Sequence, residues 1–146
     1  SRALAAQILR HRSFTFQEFS QRYSQVSQME VYEARRQDLK NKQASIDDMS
    51  EEDRDWFKKT QQTTWDNSYA LYEEGLAKGI AKEQMRNILP LNTQTTLYMT
   101  GSIRSWLHYC DLRCKVETQL EHREIAISIR EQLKEHFPNV CEAMWG

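Results

Sequence analysis

Apolar positions in the first ten residues fall at Ala3, Leu4, Ile8 and Leu9, the spacing of one helical face, and predict a helix from Ser1 to about Arg10. The helix begins abruptly inside its apolar pattern, with no cap read from the sequence. From His11 to Tyr23 the period changes. Phe14, Phe16 and Glu18 fall on one side and Ser13, Thr15 and Gln17 on the other, which predicts an extended strand. Residues 24–49 are polar and predict loop with short helical pieces. Ser50, followed by Glu51, Glu52 and Asp53, carries the signature of an N-cap with acids in the first turn. The helix it opens runs to about Lys78, with Trp56, Phe57, Thr60, Thr64, Leu71 and Tyr72 as an interrupted stripe. Gly79 is its C-terminal signal, and Ile80 to Ile88 predicts a short second helix stopped by Pro90. Thr93 to Thr100 predicts a strand. Ser102 caps a helix to about Leu112, and a last helix spans about Glu117 to His136 with Leu120, Ile125, Ile129 and Leu133 inward. The pattern is α+β and helix-dominated, with no internal repeat and no low-complexity tract.

Length and composition narrow this further. A chain of 146 residues predicts one domain over 1–146. Charged residues are 28%, yet four Trp, six Tyr and five Phe supply enough aromatic surface for a packed core. Four Gly and two Pro are too few for a turn-rich sandwich or barrel. No run of 18 apolar residues occurs, so no bilayer-spanning helix is predicted, and the opening stretch is too short and wrongly flanked for a secretory signal. Cys110, Cys114 and Cys141 are odd in number and lack a C-x-x-C pair, which predicts reduced, helix-packing thiols in a cytoplasmic protein. His108, Cys110 and Cys114 have no second tight pair, so no metal is expected.

Net charge is −1, which gives no bulk attraction to nucleic acid or anionic membrane. It is unevenly spread. Residues 1–36 carry six basic and three acidic side chains, residues 37–83 seven and eleven, and the remainder seven of each. A basic N-terminal third in a neutral chain points to a local anion site. Three arginines and a histidine fall within the 13 residues Arg10 to Arg22. Guanidinium forks grip phosphate bidentately. On a strand Glu18, Ser20 and Arg22 would share a face, offering an acceptor, a hydroxyl and a cation to a nucleotide. A solvated basic strand with Arg paired to Glu is the other reading of the same spacing. A second cluster joins Arg86, Arg104 and Arg113 with His108, and Arg104 and His108 share a helical face. Anion binding and surface pairing to Asp111 and Glu117 both account for it.

Arg10-His11-Arg12 followed by seven residues and Ser20 resembles the signature of flavin-dependent thymidylate synthases, and Arg22-Tyr23 continues it. Gly79-Ile80-x-x-Glu83-x-x-Arg86-x-x-Leu89-Pro90 is similar to a further family segment. Thr100 to His108, Leu112-Arg113, Gln119 and Glu121 are similar to the family's late helices. The resemblance covers essentially the whole chain. It implies reductive methylation of dUMP to dTMP, with methylenetetrahydrofolate as carbon donor and NADPH reducing FAD, and it requires no catalytic cysteine. It assigns dUMP to Gln7, Arg10, Glu18, Ser20, Gln21, Arg22, Arg86 and Arg113. It assigns FAD to Arg10, His11, Arg12, Glu18, Ser102, Arg104 and His108. Arg113 is the catalytic candidate, beside the pyrimidine, where a fixed cation favours the N3-ionised ring. The family assembles as a homotetramer with active sites shared between subunits.

Departures are few. Thr15 and Gln17 stand where the family commonly has Ser and Asn, and Cys114-Lys115-Val116 replaces a small-acidic-polar run after Arg113. The family ordinarily has a substantial N-terminal part ahead of the first helix. Its absence here implies an incomplete product or a site completed from elsewhere, so an inactive nucleotide- and flavin-binding relic of the same fold is the competing expectation. A helical module contacting RNA is a third, for which no Lys-rich face or recognition motif is present.

Overall fold

The computed structural model describes residues 1–146. Six helices and four short strands follow one another as α1 (Arg2–Ile8), β1 (Thr15–Glu18), β2 (Arg36–Gln37), β3 (Ser45–Ile46), α2 (Glu51–Ala77), α3 (Lys82–Met85), β4 (Leu97–Thr100), α4 (Ile103–Arg113), α5 (Leu120–His136) and α6 (Pro138–Trp145), with a 3-10 turn at Arg86–Ile88. The strands form two two-stranded sheets, β1 with β4 and β2 with β3, the latter antiparallel. The helix-dominated α+β expectation stands. Two compact units divide the chain: Ser1–Leu9, Phe16–Arg35 and Asp47–Tyr98 make the first, and Arg10–Thr15, Arg36–Ile46 and Met99–Gly146 the second.

In the first unit, α1 is capped after all. The Ser1 hydroxyl accepts from the Leu4 N–H, and the otherwise orphaned N–H groups of Arg2 and Ala3 donate to the carbonyls of Thr93 and Leu91, both at 2.9 Å. Leu4, Ala5 and Ile8 are buried, while Leu9 is exposed. Ser50 caps α2 as expected, its Oγ accepting from Asp53 N–H and donating to the Asp53 carboxylate. The fully buried face of α2 coincides with the expected stripe only at Tyr72. Trp65, Tyr72 and Gly75 are buried, whereas Trp56 and Leu71 are more than half exposed. What selects this face is a chain segment far away in sequence. Gln61 donates to the Tyr32 carbonyl at 2.8 Å and accepts from the Tyr32 N–H at 2.9 Å, fixing an extended stretch against the helix. The helix ends in a Schellman turn. Gly79 adopts φ 84°, and the N–H groups of Gly79 and Ile80 donate back to Leu76 and Gly75.

In the second unit α4 packs on α5 and α5 on α6, and the Arg10–Thr15 segment and the exposed β2–β3 hairpin belong to the same unit. Ser102 caps α4 by accepting from Ser105 N–H. The inward face of α5 is His122, Ala126 and Leu133, and Ile125 is 40% exposed, which corrects the expected Ile125 position. Helix α6 and the hairpin were not anticipated; residues 24–49 form extended chain and β2–β3 where helical pieces were expected. Cys110 and Cys141 are buried, and the Cys110 thiol, pushed up to about 12 chiefly by burial, is a packing group.

Candidate active site

The Arg10-His11-Arg12 run leaves α1 in a tight turn, closed by the Phe14 N–H donating to the His11 carbonyl at 3.2 Å. The turn is held by Phe14, which is 8% exposed and packs edge-on to Trp106 with ring centroids 4.6 Å apart. Gly101 makes room: a Cβ there would fall 2.5 Å from the Phe14 ring. Burying Phe14 turns His11 inward and leaves Arg10 and Arg12 exposed on either side of it.

His11 meets Arg113, 102 residues later. The Arg113 Nε–H donates to His11 Nε2 at 3.0 Å. That nitrogen must therefore keep its lone pair, and burial, then the positive charges of Arg113 and His108, holds the imidazole below its ordinary 6.5. Beside it, Tyr109 and His122 are fully buried and joined at 3.0 Å between hydroxyl and Nε2. Burial, reinforced by Arg113 and His11, lowers His122 to about 4. Arg113 spends its Nε on His11, which leaves both terminal amino groups for a ligand. It does not pair with Asp111, whose carboxylate instead accepts from the Trp145 indole. Arg104 and His108 are exposed on α4, and Ser102 is exposed at its start with its hydroxyl engaged as the cap.

The other predicted residues lie in the first unit. Glu18 accepts from Arg2 at 2.7 Å and from the Thr95 hydroxyl at 3.1 Å. The strand expected over 11–23 is confined to Thr15–Glu18, so Glu18, Ser20 and Arg22 do not share a strand face. The chain turns at Ser20, whose carbonyl accepts from Tyr23 and Ser24, because Gln21 is drawn into the interior at 4% exposure. The Gln21 side-chain amide nitrogen is buried without a hydrogen-bond partner. Arg22 pairs with Glu83 at 3.0 Å. Gln7 is half-buried on α1, and Arg86 half-buried where the 3-10 turn begins.

The predicted residues thus divide by unit. Arg10, His11, Arg12, Ser102, Arg104, His108 and Arg113 belong to the second, and Gln7, Glu18, Ser20, Gln21, Arg22 and Arg86 to the first. Arg10, Arg12, Arg86 and Arg104 make no ion pair among the described residues. Unpaired guanidinium groups and an orphaned amide donor fit phosphate- and carbonyl-bearing ligands. Sequence reasoning missed Arg2, Thr95, Tyr109 and His122. Arg2 and Thr95 carry no signal apart from contact with Glu18. A tyrosine and a histidine in otherwise apolar helix faces are the faint signal for the other two.

The family model for the thymidylate synthase complementing protein (Thy1) matches residues 1–139. A flavin-dependent thymidylate synthase of Synechocystis is 59% identical over 144 residues, covering 99% of this chain and 67% of that protein. The chain belongs to the flavin-dependent thymidylate synthase family. A probable flavin-dependent thymidylate synthase of Paramecium bursaria Chlorella virus 1 is 48% identical over 145 residues, again with 67% of its length covered. The chain therefore spans about two thirds of these relatives. In fold it is similar to a UMP/dUMP methylase, PolB of Streptomyces cacaoi, solved with 5-Br UMP, at TM-score 0.85 and 24% identity over 96% of this chain and 68% of that one. No helix is long and apolar enough to cross a membrane.

Proposed function

We infer that this chain carries out flavin-dependent thymidylate synthesis, the reductive methylation of dUMP to dTMP, with methylenetetrahydrofolate as carbon donor and NADPH as reductant. The observation that carries the reading is the Arg10-His11-Arg12 turn, with both arginines unpaired and His11 anchoring Arg113. FAD, when bound, accepts reducing equivalents from NADPH and returns a hydride. Arg10, Arg12 and Arg104 supply charge-assisted contacts to its phosphates, with His11, Ser102, His108 and Glu18 as further contacts. Gln7, Ser20 and Gln21 offer neutral hydrogen-bonding groups to the sugar and base of dUMP, and the Gln21 amide gains the partner it otherwise lacks. Arg86 and Arg10 hold phosphate. Arg22 joins them by releasing Glu83, at little cost, since both are about half exposed and such pairs are worth about 0–1 kcal/mol. Arg113 presents its terminal amino groups to the pyrimidine, favouring loss of the N3 proton and so attack from C5. The reading carries with it a cytoplasmic location and a homotetramer sharing its sites between subunits, which a sedimentation mass of four chains would support.

The decisive measurement is tritium release from dUMP labelled at C5, with NADPH and methylenetetrahydrofolate, on the purified yellow protein. Release in the wild type, lost in Arg113→Ala while flavin absorbance is kept, supports the reading. Flavin without release favours the relic; neither flavin nor release overturns the assignment.

A further inference from the structure

Thymidylate synthesis would employ His11 and Arg113 directly, yet a tyrosine and a histidine lie buried behind them. Tyr109 is 1% exposed and His122 0%. Apolar side chains of similar size would fill the same space without needing a hydrogen bond, and a buried polar group lacking one is costly. The two satisfy each other through the contact between the Tyr109 hydroxyl and His122 Nε2, at 3.0 Å. Their neighbours show what this accomplishes. His11 stands steeply against both rings, 4.9 Å from Tyr109 with planes at 70° and 6.2 Å from His122 at 89°. The bond ties Tyr109 on α4 to α5 and removes the freedom of its ring. The ring in turn fixes the plane of His11, whose Nε2 holds the Arg113 Nε–H.

We propose that Tyr109 and His122 are positioning residues for Arg113: their hydrogen bond locks the tyrosine ring, the ring sets the His11 imidazole, and the imidazole aims the guanidinium. The consequence for turnover rests on the thymidylate reading; the setting of His11 does not. The arrangement works only while His11 Nε2 keeps its lone pair, because a protonated imidazole would set N–H against N–H and release Arg113. Burial and the positive charges of Arg113 and His108, both on α4, favour the neutral form of His11; His122 on α5 is itself neutral, and Arg10 and Arg12 flank His11 along the chain. Tyr109 stays protonated, raised to about 12 mainly by burial, and adds no negative charge.

Imidazole titration by NMR on the full chain tests the setting of His11 directly. In the wild type its midpoint lies below the ordinary value. Tyr109→Phe keeps the ring but deletes the hydroxyl, and should move that midpoint upward. His122→Leu should do the same, whereas His122→Gln, which retains a hydrogen-bonding group, should restore it. In turnover, Tyr109→Phe should lower kcat by about tenfold or more, as small misplacements near the chemistry do, and shift the acid limb of the kcat profile to higher pH. Reduced stability alone would lower the amount of active protein and leave that limb in place. An unchanged His11 midpoint in folded Tyr109→Phe, or in His122→Leu should the first variant not fold, overturns the proposal. A midpoint that moves upward in Tyr109→Phe while the wild type releases no tritium would overturn the thymidylate reading and leave the positioning intact.

Discussion

Arg12 illustrates how much a single residue's role depends on what does not touch it. It sits beside His11, exposed and without an acidic partner, because Phe14 draws the turn inward and leaves the flanking guanidinium groups outside. A charge-assisted contact to phosphate is worth about 1.5–3 kcal/mol. Arg12→Ala should therefore weaken FAD binding by about tenfold to a hundredfold, with little effect on melting temperature, as flavin titration monitored by absorbance would show. The R-H-R run singles out Arg12 in the sequence. That Arg113 is held by His11 is not legible there, because nothing local links residues so far apart. Gln21 was named from resemblance, but its burial without a partner emerges only from the turn at Ser20.

At the scale of elements, the sequence identifies the caps of α2 and α4 but not the Ser1 cap of α1, and it identifies buried faces poorly. Ser50 and Ser102 were identified as N-caps, and Gly79 as a C-terminal stop, since each acts within its own turn. The α2 stripe was misjudged because its buried side is set by Tyr32 against Gln61 and by the stacking of Trp65, Tyr69 and Tyr72, with centroids 5.3 and 6.0 Å apart. The strand over 11–23 was drawn too long because two turns interrupt the alternation. Gly101, between β4 and α4, links element to site. Gly101→Ala would set a Cβ 2.5 Å from the Phe14 ring, and overpacking of this kind costs about 1–3 kcal/mol. The expected result is a lower melting temperature together with weaker flavin retention, since displacing Phe14 displaces His11. A variant that melts lower yet keeps full flavin affinity would separate the two.

At the scale of the molecule, charge and pH come into view. The second unit carries eleven basic and eight acidic residues, so the arginines around His11 sit in a locally basic part of a chain whose net charge is −1. His122 is neutral when folded, lowered to about 4, and takes up a proton near 6.5 when unfolded. Between those values the unfolded chain binds more protons, so stability is full above about 6.5 and falls as pH drops toward 4. The loss reaches up to about 3 kcal/mol, with His11 adding in the same direction. Urea midpoints at pH 7 and pH 5 should differ in the wild type and differ less in His122→Gln.

What the amino-acid sequence determined by itself is whatever depends on neighbours within a turn or two: the helices up to α5, the caps at Ser50 and Ser102, the helix-dominated class and the arginine-rich signature. Tertiary structure alone decided which faces are buried, that Arg10, Arg12, Arg86 and Arg104 are unpaired while Arg22 and Arg113 are held, and that Tyr109 and His122 stand behind His11. Those outcomes hinge on partners brought together from distant positions. Local propensity is blind to them, because burial and hydrogen-bond satisfaction belong to pairs of residues that only folding introduces to one another.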